Sequence, residues 1–287
     1  MKQIIRFAGI ILAFTLCFAS CGGNGNSKSN VTVPTEYCEE LVKLAEDGNA
    51  EAQSKLGICY EFGKGVTQSY SEAVKWYQKA VDQGNAEAQA NLGVCYQKGN
   101  GVTQSYSKAV ELYRKAAEQG NTIGQNNLGL CYDNGLGVEQ SYTEAVKWYR
   151  KAASQGEARS QYLLAICYLK GEGVEQSDSE GEKWLMKAAN QGLADAQYAH
   201  GCMYQSYGDY GNAIGRFTQA ALQGQIDAVE KVNTWVRGLA ELGNPTAQSA
   251  MGSFCEKNGK KEEAIQWFTL ASEQGNQFAT DKLKKMK

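Results

Sequence analysis

Apolar side chains recur along most of this chain with the period of a helix, and then the whole pattern recurs. Ala52, Leu56, Cys59 and Tyr60 fall at i, i+4, i+7 and i+8, one stripe of an amphipathic helix A. Ala73, Trp76, Tyr77 and Ala80 make the stripe of a second helix, B. Asn49 stands where helix A needs an N-cap, and Ser69 with Glu72 has capping-box spacing at the start of helix B. Gly63-Lys64-Gly65-Val66 joins the two with left-handed turn conformations, and Gly84 closes helix B. Residues 85–120, 121–156 and 157–192 repeat residues 49–84 at a 36-residue period. One helix pair cannot bury both stripes alone, so the pattern predicts an all-α solenoid of stacked antiparallel pairs. Gly57 recurs as Gly93, Gly129, Gly201 and Gly252, with Ala165 in the fourth copy. A glycine inside a helix costs about 1 kcal/mol against alanine, so its repetition predicts close helix packing.

Outside the four full copies the pattern degrades in specific ways. Residues 36–48 resemble the end of helix B and read as an N-terminal cap. Residues 193–224 have lost the Gly-x-Gly-Val connection, and residues 225–243 keep little more than one helix, predicting a bend or irregular packing. Residues 244–275 return to a helix pair, and residues 276–287 read as a C-terminal cap and lysine-rich tail.

At the N-terminus, Lys2 and Arg6 precede an apolar run over residues 7–18, short for a membrane span and suited to a signal peptide. Phe18-Ala19-Ser20-Cys21 then resembles the lipobox of a bacterial lipoprotein. That resemblance implies cleavage after residue 20 and acylation of Cys21, with residues 21–35 a flexible Gly/Asn/Ser tether. The absence of an acidic run after Cys21 points to the periplasmic side of the outer membrane. The membrane is then engaged through the lipid alone. Removal of Lys2 and Arg6 takes the formal charge from −2 to −4, which leaves no general basic surface for nucleic acid.

Nine cysteines in an exported chain suggest disulfides. Cys59, Cys95, Cys131 and Cys167 instead share one slot of successive helices A, whose axes lie roughly 8–10 Å apart, too far for Cα atoms that must approach within about 7 Å. They read as small buried hydrophobes, with a local Cys38–Cys59 pair left open. No residue set calls for a cofactor or a metal. Ser105-Tyr106-Ser107-Lys108 matches the S-x-x-K nucleophile motif, but Ser69, Ser141 and Ser177 in the same slot precede Glu72, Glu144 and Glu180, so Ser105 reads as a helix cap. His200, the one histidine, occupies the slot of Leu56, Leu92, Leu128 and Leu164 and reads as a core substitution.

The pattern A-E-A-Q-x-x-L-G-x-C-Y-x-x-G-x-G-V, then S-Y-x-x-A-V-x-W-Y-x-K-A, then Q-G-N, resembles the Sel-1-like repeat, a longer relative of the tetratricopeptide repeat. The resemblance implies a right-handed superhelix whose A helices line a concave, protein-binding groove, and hence a non-enzymatic interaction scaffold. Cysteine-rich members of that family are associated with penicillin binding and β-lactam hydrolysis, but carry paired cysteines in each repeat where this chain has one. A regulator of cell-wall enzymes is a further alternative.

Comparing the copies separates fixed from free positions. Gln53, Gln89, Gln125, Gln161, Gln197 and Gln248 are fixed and read as structural hydrogen-bonding residues. The free slots of helix A fall on the half opposite its apolar stripe. They place Lys55, Asn91, Ile123, Asn126, Asn127, Tyr162, Leu163, Leu169 and Tyr198 in the groove as candidate partner contacts. The competing reading is that the apolar members pack beneath the irregular repeats.

Overall fold

In the computed structural model, described over residues 34–286, the chain forms two compact units that divide after Gln155. The expected signal peptide, the Cys21 lipidation site and nearly all of the tether lie outside the described residues.

The first unit alternates B and A helices in the predicted order. After α1 (Glu39–Glu46) come the pairs α2 (Ala50–Phe62) with α3 (Tyr70–Asp82), α4 (Ala86–Lys98) with α5 (Tyr106–Glu118), and α6 (Thr122–Asn134) with α7 (Tyr142–Ser154). The Asn49 side chain accepts from the Ala52 N–H at 2.9 Å, as a cap should. Ser69 caps α3 by accepting from Glu72 N at 3.3 Å, but the second half of the capping box does not form. The Ser69 N–H already donates to the Tyr60 carbonyl at 2.9 Å, so the Glu72 carboxylate is released to pair with Lys75.

The repeated glycines have two distinct jobs. Gly101 has φ +71°, and a Cβ there would lie 2.5 Å from the Tyr70 carbonyl oxygen, so this link lies directly on the start of the preceding helix B. Gly129 lies inside α6 with ordinary helical φ, and a Cβ there would come within 2.6 Å of the Tyr149 ring. Glycine is therefore the slot against which the B-helix tyrosine lies flat.

That tyrosine also explains a slot the sequence leaves as free. The Tyr77 hydroxyl donates to Glu61 at 2.6 Å, Tyr113 to Gln97 at 2.6 Å, and Tyr149 to Asp133 at 3.0 Å. Glu61 is buried, and desolvation holds its carboxyl above the usual range although the Tyr77 bond opposes the shift. The slot varies in residue type but always presents an oxygen to the phenol. Gln97 does so without a charge.

The fixed glutamines form a relay. Gln83 donates to Gln53 at 2.8 Å, and Gln53 donates to the Ala45 carbonyl of α1 at 3.0 Å. Gln155 to Gln125 at 2.8 Å and Gln125 to the Ala117 carbonyl at 3.2 Å repeat it. Each relay ties the two ends of a repeat to the last turn of the helix before it. Cys59, Cys95 and Cys131 are buried free thiols, and burial pushes the latter two up to about 12. Cys38, half-buried and also a free thiol, caps α1 by accepting from Leu41 N at 3.4 Å.

The second unit contains α8 (Ala158–Lys170) with α9 (Asp178–Asn190) and α10 (Ala194–Ser206) with α11 (Tyr210–Leu222). Tyr207-Gly208-Asp209 replaces the longer connection in the latter pair, with Gly208 at φ +79°. Residues 225–243 form one helical run: α12 (Ile226–Lys231), a π-helical turn (Val232–Val236) and α13 (Arg237–Glu241). Its buried edge, Val232, Val236 and Ala240, belongs to one core with Phe217 of α11 and Met251 of α14 (Pro245–Lys257). The irregularity expected here is thus a missing helix A and a widened turn. Helices α15 (Lys261–Glu273) and α16 (Gln277–Met286) complete the unit. Relays recur from Gln223 through Gln197 to Ala189 and from Gln274 through Gln248 to Ala240.

The fourth repeat has changed its packing as a set. Ala165 stands in the glycine slot, Leu185 in the tyrosine slot, and Gly181 where α3, α5 and α7 carry alanine. Leu169 fills the resulting space: a Cβ on Gly181 would lie 2.6 Å from the Leu169 side chain. Leu169 therefore packs between α8 and α9, and its expected place in an open groove is corrected.

Candidate interaction face

An A helix has one exposed line once its core stripe, its glycine and its oxygen-bearing slot are taken. In α6 that line is Ile123, Asn127, Leu130 and Asn134, at i, i+4, i+7 and i+11. Ile123 is 39% exposed, an apolar side chain that the core does not use. Asn127 and Leu130 are half-buried and Asn134 is exposed. In α2 the same line is Glu51, Lys55, Ile58 and Phe62, with Lys55 and Glu51 paired at 2.7 Å and Phe62 40% exposed. Successive A helices α2, α4 and α6 also touch one another, which narrows the face. Asn91 and Val94 of α4 are buried by that approach.

The neighbouring slot is not on this face. Ser54, Ala90 and Asn126 are all buried, and the Ser54 hydroxyl reaches Glu87 on α4 at 3.3 Å. The expected groove positions of Asn91 and Asn126 are therefore helix–helix contacts, because the A helices approach closely enough to cover them. Ser54, Ala90 and Asn126 differ in type and are all buried, so variation among the copies does not by itself mark an exposed slot.

The aromatic candidates of the second unit meet the same correction. Tyr162 packs against the core containing Ala165, Leu185, Ala189 and Met203, and burial pushes its phenol up to about 12, with Asp195 adding to the shift. The Tyr198 ring lies 5.7 Å from that of Phe217, and burial, then Cys202, raise its phenol. Both answer the altered packing of the fourth and fifth copies. Leu163 remains half-buried on α8, in line with Ile166. The residues missed from sequence are Ile58, Leu130 and Ile166. Their signal was present: the position after the A-helix glycine slot is aliphatic in all four full copies, outside the Ala52, Leu56, Cys59 and Tyr60 stripe, although Val94 and Ile58 also pack on the core there.

Ser105 behaves as a cap. Its hydroxyl accepts from Lys108 N at 3.4 Å, and the Lys108 ammonium lies over the Tyr96 ring, 5.2 Å from its centroid. Among the described residues, no group of three His, Cys, Asp or Glu side chains is placed to hold a metal ion, and no helix is long and apolar enough to cross a membrane.

Antiparallel helix pairs stacked at a 36-residue period define a helical-repeat protein of the solenoid class. Residues 50–85, 86–121, 122–157, 158–193 and 240–276 match the Sel1 repeat model, and the chain belongs to the Sel1 repeat family, whose members generally act as protein-interaction scaffolds. The interruption between the fourth and fifth matches coincides with the shortened repeats. Among solved structures, the chain is 32% identical to a protective antigen of uropathogenic Escherichia coli strains that displays an SLR fold, with a TM-score of 0.60 over 85% of this chain. It spans 58% of that protein's length. It is 28% identical to a Sel1 repeat protein from Oxalobacter formigenes, with a TM-score of 0.60, covering 81% of this chain and 90% of that one. No significant match was found among curated proteins.

Proposed function

We propose that this chain is a non-enzymatic interaction scaffold of the bacterial cell envelope, tethered by lipid at Cys21 and binding a protein partner through the exposed line of its A helices. The observation that carries the reading is Ile123, 39% exposed beside half-buried Asn127 and Leu130, where the scaffold itself has no use for an apolar residue. Leu163 and Ile166 supply the corresponding apolar surface in the second unit. The helices are held by capping and relay bonds before any partner arrives, so little ordering of the scaffold opposes binding. The S-x-x-K geometry favours this reading over the penicillin-interacting alternative, since the Ser105 hydroxyl is turned to its own helix and the lysine to a tyrosine ring.

A photo-crosslinking residue at Ile123 in living cells should capture a discrete protein, whereas the same residue at exposed Lys147 on α7 should not. Equal capture at both positions would remove the A-helix face from consideration. For the tether, Cys21→Ala in the full chain should move the protein from the membrane fraction to the soluble fraction. Persistence with the membrane would defeat the lipid anchor.

A further inference from the structure

The outer side of the second repeat lacks a side chain that its neighbours possess. Trp76 in α3 and Trp148 in α7 occupy the B-helix slot that is Leu112 in α5. Each tryptophan lies under a lysine three residues on: Lys79 is 3.8 Å from the Trp76 ring centroid and Lys151 is 4.0 Å from that of Trp148. Trp148 is buried in a cluster with Val110, Ala117 and Leu128, flanked by Tyr132. One repeat earlier the equivalents of the last three are Val81, Leu92 and Tyr96. There Val81 and Tyr96 line an open cleft of about 320 Å³ between α3 and α5, floored by the buried side chains of Leu92 and Leu112.

The charges around the cleft have changed as well. Glu72 with Lys75, and Glu144 with Lys147, are paired on α3 and α7, but α5 carries Lys108 and Glu111 in these slots. Lys108 turns to the Tyr96 ring, and Lys115, the counterpart of the lysines that cover tryptophan, pairs with Glu111 at 2.7 Å. That ion pair is exposed and contributes little, so Lys115 can exchange it for a ring at small cost.

We propose that the cleft between α3 and α5 is a docking site for a tryptophan side chain of a partner protein, which takes the place of the indole missing at Leu112, with Lys115 closing over it. The occupant is identified by the chain's own third repeat, where the corresponding walls, with Ala117 in the slot of Val81, and the counterpart lysine Lys151 hold Trp148. This site lies on the B-helix side and does not depend on the A-helix face.

The test is a titration of the native protein with the blocked peptide Ac-Gly-Trp-Gly-NH2, read by methyl NMR. Saturable shifts at Val81, Leu92 and Leu112 are expected, at least tenfold stronger than with Ac-Gly-Leu-Gly-NH2. Lys115→Ala should weaken them, and Leu112→Trp should abolish them while raising the melting temperature. Absent shifts, equal binding of the leucine peptide, or binding of free indole with exclusion of the peptide would overturn the proposal. So would shifts that change on dilution of the protein alone, which would assign the cleft to a second copy of the chain. A Leu112→Trp variant that melts lower or fails to fold would also overturn it, because the cleft would then lack the shape of the Trp148 site.

Discussion

Gly129→Ala is expected to cost about 3 kcal/mol, the upper end for overpacking a close-packed core, although alanine is the better helix former by about 1 kcal/mol. Its Cβ would lie 2.6 Å from the Tyr149 ring, a ring held by its own hydrogen bond to Asp133. The fourth repeat shows how the chain accommodates the alanine: Ala165 coexists with Leu185 in place of the tyrosine. Gly129→Ala combined with Tyr149→Leu should therefore lose less than the sum of the two single losses, with a coupling of roughly 1–2 kcal/mol. Chemical denaturation of the four proteins measures it. Strict additivity would show that the ring is not what the glycine accommodates.

The second large effect concerns His200 and acid. The side chain is fully buried in a leucine slot, its ring 4.4 Å from that of Tyr204, and neither ring nitrogen has a hydrogen-bond partner. Burial, helped by the nearby Arg216 charge, lowers its pKa from 6.5 to about 4. The unfolded chain then binds the proton more readily than the folded one between these values, so stability falls as pH drops from 6.5 towards 4. The full loss is roughly 3 kcal/mol, complete once the pH lies below the folded value. His200→Leu should stabilise the protein at pH 7, because an unpaired buried polar group costs about 1–3 kcal/mol, and should flatten this part of the acid slope. Melting curves of both proteins at pH 7 and pH 5 test it. Parallel declines would mean that the imidazole is not held neutral in the fold.

Much of the scaffold was legible in the sequence because identical physics is solved repeatedly within one chain. Asn49, Gly57 and Ser69 recur at fixed spacing since each meets a requirement that every copy shares. The glutamine at Gln53 was recognisable as structural, but its partner Gln83 was not singled out, because a polar residue before a closing glycine looks like ordinary surface. The candidate face was only partly legible. Variation among copies was read as exposure, and it holds for Ile123. It fails for Asn126, which neighbouring A helices cover, and for Leu169, which varies in concert with Gly181 and Leu185. Such compensation occurs between positions far apart in sequence, and only the packed helices bring it into view.

The glutamine relay has a consequence for how such a chain can change over generations. Every relay begins and ends on groups that any full repeat supplies: an amide before the closing glycine, an amide in helix A, and a carbonyl in the last turn of the preceding helix. Duplication or loss of a whole 36-residue segment within the first unit would leave each of these bonds with a partner. The array is therefore free to lengthen or shorten by whole copies, and each added copy brings a new exposed line on helix A that selection can alter without disturbing the old ones.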